Sequence, residues 1–454
     1  MVELHFSRAL LSDGWCRDVL ITLNGRKIST IAHGVPAPAG AERISGVAVP
    51  GLPNVHSHAF QRAMAGLAET RGPAEDSFWT WREVMYRFLA EMTPDDIEAV
   101  AALAYAEMLE AGFTTVGEFH YVHNAPDGRR YADPAETGAR IVAAAKTSGI
   151  GLTLLPSFYA HGGCGGRPAK PGQIRFLADL DGFADLMASS RRHVASLDGA
   201  KIGIAPHSLR AVDAPELRAL LQAYPDMPVH IHAAEQMAEV EECLTWSGAR
   251  PVEWLLDNAG IDGRWCLIHC THMTEDEIAR LARSGATVGL CPITESSLGD
   301  GIFAGVAYQN AGGHFAVGTD SNIRIAANEE LRTLEYSQRL RDQRRNCLTG
   351  ASGTSTGRTI FETAIKGGTR ALASEAGAIE VGKTADIVVL DDTHPSLVAR
   401  DGDAILDAWI FASGPAVREV YAGGSLVVKD GRHIDREAIR ARYSETMRRL
   451  LSGS

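Results

Sequence analysis

The spacing of apolar positions changes along this chain. Up to about residue 46, short apolar runs are separated by turn signals, as where 19–23 (Val-Leu-Ile-Thr-Leu) meets Asn24-Gly25 and a second run follows at 27–31. Asn-Gly between two strand-like runs is a hairpin pattern, so a small β unit opens the chain. Runs of the same composition return at 385–390, 417–421 and 426–428. The pattern predicts that residues 1–46 and 377–435 build one β-sandwich domain from both chain ends, with a C-terminal helix over 436–454.

Between the ends, helix and strand alternate. Thr93-Pro94-Asp95-Asp96 supplies a cap, a proline at the first helical position and acids in the first turn, Gly112 closes the helix, and 113–116 reads as the next strand. Asp133-Pro134, Asp213-Ala214-Pro215-Glu216 and Thr274-Glu275-Asp276-Glu277 repeat that phrase ahead of strands at 150–155, 228–232 and 286–290. With the runs at 47–54, 201–205, 265–268 and 314–318, about eight strands are separated by helices, the count of a (β/α)8 TIM-like barrel over 47–376. A doubly wound open sheet is the rival. It is disfavoured because no Gly-x-Gly-x-x-Gly follows the first strand, and because polar residues gather at many strand ends.

In such a barrel, side chains at the C-terminal ends of different strands converge on one mouth. His56 and His58 end the first predicted strand, His232 the fifth, His269 the sixth and Asp320 the eighth. Three imidazoles and one carboxylate leave a position open for water, as in a catalytic rather than a structural zinc site, and iron(II) accepts the same donors. Glu235 follows His232 past the strand end, where it can act as acid or base beside a metal. His230 lies deeper in its strand and reads as structural.

Composition narrows the function classes. The 454 residues carry 45% hydrophobic and 22% charged positions and a net charge of -12, which argues against nonspecific binding to nucleic acid or an anionic membrane. The charged first residues and the lack of a long apolar run read as a cytoplasmic protein, and the seven scattered cysteines read as free thiols. No Pro-Cys-x-x-Cys follows a His-x-Glu, so the zinc nucleoside deaminase signature is absent. The glycine-rich stretch 161–172 lacks the phosphate-loop pattern and reads as a surface connection or an active-site lid.

Several segments carry a resemblance: Pro53-Asn54-Val55-His56-Ser57-His58-Ala59-Phe60-Gln61-Arg62, Trp79-Thr80-Trp81-Arg82, His232-Ala233-Ala234-Glu235, His269, and Gly318-Thr319-Asp320-Ser321-Asn322. On these the chain resembles the amidohydrolase superfamily and, within it, the formimidoylglutamate deiminases. The likeness implies metal-dependent hydrolysis of N-formimino-L-glutamate to N-formyl-L-glutamate and ammonia in histidine breakdown. Two-metal members carry a bridging lysine at the end of strand four. Here that end reads Ala205-Pro206-His207-Ser208, so one divalent ion, zinc before iron(II), is implied, held by His56, His58, His232 and Asp320.

The catalytic residues implied are Glu235, His269 and Asp320. A dianionic substrate in an acidic chain needs local cations, for which Arg82 and Arg210 are the candidates. Gln61, Tyr121 and His207 can add neutral hydrogen bonds. A homodimer is expected. Two alternatives remain: an aminohydrolase of a purine or related ring, which would want an aromatic pocket without paired arginines, and a noncatalytic scaffold, which would have lost ligands.

Overall fold

A computed structural model describes residues 1–71 and 78–452; the side chains of Phe78 and Trp79 lie outside the described atoms, as do the last two residues expected in the C-terminal helix. Two parallel sheets form the centre. One runs Leu52–Ser57, Phe113–His120, Gly151–Phe158 and Lys201–Ile202, with Ala205–Pro206 also pairing to Gly151–Phe158. The other runs Val229–Ala233, Trp265–His269, Thr287–Leu290 and His314–Val317. Nearly every residue of these strands is buried, as expected where helices cover a parallel sheet.

The expected barrel ladder is interrupted at two places, each spanned by a single parallel bridge: Ile204 to Val229, and Ser57 to Asp320. At the first, Gly203 divides the fourth strand into two short pieces, and a Cβ there would sit 2.7 Å from the Pro228 carbonyl. At the second, the chain leaves extended geometry at Asp320, whose φ is 43°.

Three of the four expected helix signals act locally as their chemistry dictates; after Asp133-Pro134 the helix starts only at Glu136, with Ala135 at its N-cap and no side-chain cap. Thr93, Asp213 and Thr274 each cap a helix and form reciprocal capping boxes with Asp96, Glu216 and Glu277, and Gly112, Gly149 and Gly285 end helices in the left-handed conformation. Such caps contribute about 1 kcal/mol each, so they fix boundaries while the buried faces hold the helices in place.

The chain ends meet in one sheet of eight strands: Arg432–His433, Ser425–Lys429, Val417–Ala422, Ile387–Leu390, Glu42–Pro50, Val2–Leu11, Gly14–Asn24 and Lys27–Ala32. The ladder is continuous, where two stacked sheets were expected. The apolar run 47–54, expected as one strand, is two. Glu42–Pro50 joins the end sheet, pairing with both Val2–Leu11 and Ile387–Leu390, and Leu52–Ser57 starts the parallel sheet. Gly51 lies between them, packed so closely that a Cβ would fall 2.2 Å from the Thr114 hydroxyl. An apolar helix, Ala404–Phe411, interrupts the C-terminal β segment and packs Trp409 against Phe361.

Gly318 sits where the last parallel strand meets the first. A methyl group there would lie 2.7 Å from the His56 amide nitrogen and 2.8 Å from its carbonyl oxygen. Gly318→Ala is therefore expected to destabilise the fold by about 1–3 kcal/mol, the usual cost of overpacking. Urea unfolding checks this against Gly414→Ala, where nothing lies within 4 Å of the new methyl. Equal midpoints for the two variants would refute the close-approach argument.

Candidate metal and catalytic site

The strand Leu52–Ser57 delivers His56 and, one step beyond its end, His58, while Val229–Ala233 delivers His232. All three imidazoles are buried, and one ring nitrogen of each lies within 4.8 Å of those of the others. His56 Nε2 stands 3.1 Å from His232 Nε2, and Asp320 Oδ1 lies 3.3 Å from His56 Nε2 and 3.5 Å from His58 Nε2.

Tautomers explain what these nitrogens offer. His58 Nδ1 donates to the Phe119 carbonyl at 2.8 Å, and His232 Nδ1 donates to the His207 carbonyl at 3.0 Å. Each neutral ring therefore turns a lone pair on Nε2 toward the centre. Burial keeps the rings neutral, driving His56 down to about 3 and holding His58 and His232 below the ordinary histidine range. Lone pairs converging beside a carboxylate are mutually unfavourable unless a cation lies among them, so the donor set fits a divalent metal.

Asp320 is held in place through its backbone. His58 N–H donates to the Asp320 carbonyl, and Thr319 and Asp320 N–H both donate to the His56 carbonyl, at 2.9–3.0 Å. Asn54 Oδ1 accepts from Thr319 N–H, and the Asn322 amide donates to Ser57 Oγ and to the carbonyls of His58 and Asp320. Asp320, Asn322, His269, Cys270 and Ala234 all have φ between 43° and 70°. Non-glycine residues adopt that region at a cost of roughly 1–3 kcal/mol each, and five of them around one cavity mark where the fold gives up local stability to aim side chains.

His269 stands beside the imidazole group. Its Nε2 is 3.9 Å from Asp320 Oδ2 and 3.7 Å from Glu235 Oε1, and its Nδ1 is 3.1 Å from Glu295 Oε1. Burial lowers the affinity of this ring for a proton, but the carboxylates of Glu235, Glu295 and Asp320 outweigh it and push the ring up to about 10. Glu235 is raised by burial, against the pull of His269 and Arg210.

One cavity gathers the residues expected from sequence: His58, His232, His269, Asp320, Glu235, Gln61, Arg82, Tyr121, His207 and Arg210 all line it, with His56 buried beneath. Gln61 Nε2 donates to the Tyr121 hydroxyl at 2.8 Å, and Arg210 Nη2 lies 3.8 Å from Glu235 Oε2. His230 donates from Nε2 to the Ala371 carbonyl at 2.9 Å, a contact within the protein wall.

The sequence reading missed Glu295, Asn54 and Asn322. Glu295 lies five residues past the end of Thr287–Leu290, and an acid so soon after a strand end was the available signal. Nothing local in the two asparagines foretells the network they join.

Comparison with known proteins agrees with this geometry. Residues 47–427 match the amidohydrolase family, and residues 1–45 match the N-terminal domain of formimidoylglutamate deiminase HutF. A formimidoylglutamate deiminase of Pseudomonas aeruginosa is 47% identical over 453 residues, covering 99% of this chain and all of that protein. The crystal structure of an amidohydrolase from Brucella melitensis, 49% identical, superposes with a TM-score of 0.95 over 99% of this chain and 100% of that one. An adenosine deaminase from Xanthomonas campestris with bound zinc shares the fold at 22% identity, with a TM-score of 0.81 and coverage of 99% and 98%. The chain thus belongs to the amidohydrolase family and, through its full-length likeness to a formimidoylglutamate deiminase, to that branch of it.

Proposed function

We propose that this protein hydrolyses N-formimino-L-glutamate to N-formyl-L-glutamate and ammonia, in the breakdown of histidine. The observation that carries this reading is a single cavity with two arginines, Arg82 and Arg210, together with Glu235, His269 and Asp320. The cavity has aromatic walls, Trp81, Tyr121, Tyr159 and Phe176, which a ring substrate would favour. Paired guanidinium groups are what a ring substrate does not need and a dicarboxylate does.

The same proposal covers the finer points of the site. The two parallel sheets act as one barrel, with the bridges at Ile204 and Ser57 as its seams. His56, His58, His232 and Asp320 hold one ion, zinc in preference to iron(II), since three nitrogens and a carboxylate suit both. Seven unpaired cysteines support a reducing, cytoplasmic setting.

When bound, such an ion supplies a hydrolytic nucleophile at neutral pH by lowering the pKa of water toward roughly 7. Asp320 then receives the proton of the attacking water, and the His269 ring, held on its far side by Glu295, orients that water. Glu235, whose carboxyl burial keeps raised, delivers a proton to the formimino nitrogen, the proton held by Asp320 follows it to the same nitrogen, and the tetrahedral carbon expels ammonia while its hydroxyl proton returns to Glu235. Arg82 and Arg210 hold the carboxylates, and Gln61, Tyr121 and His207 add neutral hydrogen bonds. Ammonia release from N-formimino-L-glutamate, with N-formyl-L-glutamate as co-product, tests the whole reading. Turnover of a purine in its place would overturn it.

Three outcomes test the parts. His56→Ala and Asp320→Asn are each expected to lose the metal, measured by elemental analysis of purified protein, and activity with it. Full activity in His56→Ala would remove it from the site. Glu235→Gln should keep its metal and lose about 10²- to 10⁴-fold in kcat, and a metal-free variant would reassign Glu235 as a ligand or support. Arg82→Met and Arg210→Met should each lower kcat/KM by about 10- to 200-fold at equal metal content. Because Arg210 also flanks Glu235, its replacement should lower kcat as well as raise KM, whereas Arg82→Met should act chiefly on KM; normal kinetics in both would defeat the dicarboxylate argument.

A further inference from the structure

Tyr159 lines the cavity, and no step of the proposed reaction uses it. It follows the strand Gly151–Phe158 and is only 2% exposed, its ring packed against His207 at 4.7 Å and Phe176 at 5.5 Å between centroids. Its hydroxyl oxygen accepts from Arg82 Nη2 at 3.0 Å and from Gln173 Nε2 at 2.6 Å. The second direction is fixed. Gln173 Oε1 accepts from the Lys170 N–H at 2.6 Å, so the other end of that amide must present an N–H. A guanidinium has no acceptor at all.

Both neighbours of the phenol oxygen are therefore donors, and the hydroxyl hydrogen has no acceptor among the described residues. Burying an O–H without an acceptor is unfavourable, and a carboxylate entering the cavity is the group that would relieve that cost. We infer that Tyr159 is a specificity-determining residue: it donates its hydroxyl hydrogen to the same substrate carboxylate that Arg82 binds. This rests on the dicarboxylate reading above. It also gives the glycine-rich connection a role, because the turn at its end lets the Lys170 N–H fix the Gln173 amide against the Tyr159 hydroxyl. Gly172 passes so close to Tyr86 that a Cβ would lie 2.7 Å from its ring. Gln173, itself 2% exposed, is a positioning residue that acts through Tyr159.

The test compares wild type, Tyr159→Phe, Gln173→Ala and the double variant at equal metal content. The substrates are N-formimino-L-glutamate and two analogues, each lacking one of its carboxylates. Tyr159→Phe should lower kcat/KM for the dicarboxylate by about 10- to 100-fold, mostly through KM, as loss of a hydrogen bond to a charged group requires. That loss should disappear on one analogue, the same one on which Arg82→Met has no effect. Gln173→Ala should weaken the tyrosine enzyme and add nothing once Phe is at 159, which a merely structural role would not produce. An unchanged Tyr159→Phe enzyme, an equal loss on all three substrates, or a loss that disappears on the other analogue overturns the assignment of Tyr159 alone. A wild type inactive on N-formimino-L-glutamate overturns the functional reading, and the role of Tyr159 with it.

Discussion

The site depends on how the start of the parallel sheet is tied to its end. His56 and Asp320 lie 264 positions apart in sequence, and their side chains can act together only because the backbones of 56–58 and 318–320 are hydrogen-bonded to each other. Gly318 allows that approach, and Asn54, Thr319 and Asn322 hold it with fully buried or nearly buried side chains. Amide groups suit this position because each can donate and accept at once, and so satisfies backbone on both strands without introducing a charge next to the imidazoles. The positive φ at Asp320 persists because the same hydrogen bonds hold the chain on that path.

Electrostatics divides the cavity into two zones. At its floor, burial keeps His56, His58 and His232 neutral, which a nitrogen ligand requires, while Asp320 stays ionised far below the usual carboxylate range despite its burial, since the surrounding imidazoles favour its charge. The guanidinium groups of Arg82 and Arg210 line the same cavity. Within a chain of net charge -12, this is a local reversal of sign, and it is the feature on which the dicarboxylate proposal rests. His269 and Glu235 lie between the zones, each within reach of the other, which suits groups that exchange protons with a reacting centre.

The alternation of helix and strand, the caps at Thr93, Asp213 and Thr274, and the histidines at strand ends were all legible from the chain alone. They follow from local rules: side-chain period, capping chemistry and the convergence of strand ends. The break at Gly51 was missed although Pro50-Gly51 is a turn signal, because the apolar residues on either side of it read as one buried run whichever sheet buries them. Nor was the helix Ala404–Phe411, whose residues are apolar on nearly every face and so carry no helical period.

The sequence by itself determined which chemistry was available: imidazoles, carboxylates and arginines at positions that an alternating α/β chain brings to one side. Only the tertiary structure decided how each is used. It gave His58 and His232 their tautomers through carbonyls of Phe119 and His207, set Glu295 behind His269, placed Arg210 beside Glu235, and brought Gln173 and Arg82 to the same phenol oxygen. The reason is physical. Residue type and period fix what a side chain can donate, accept or ligate, whereas its partner, and hence its protonation and direction, comes from groups far away in the chain.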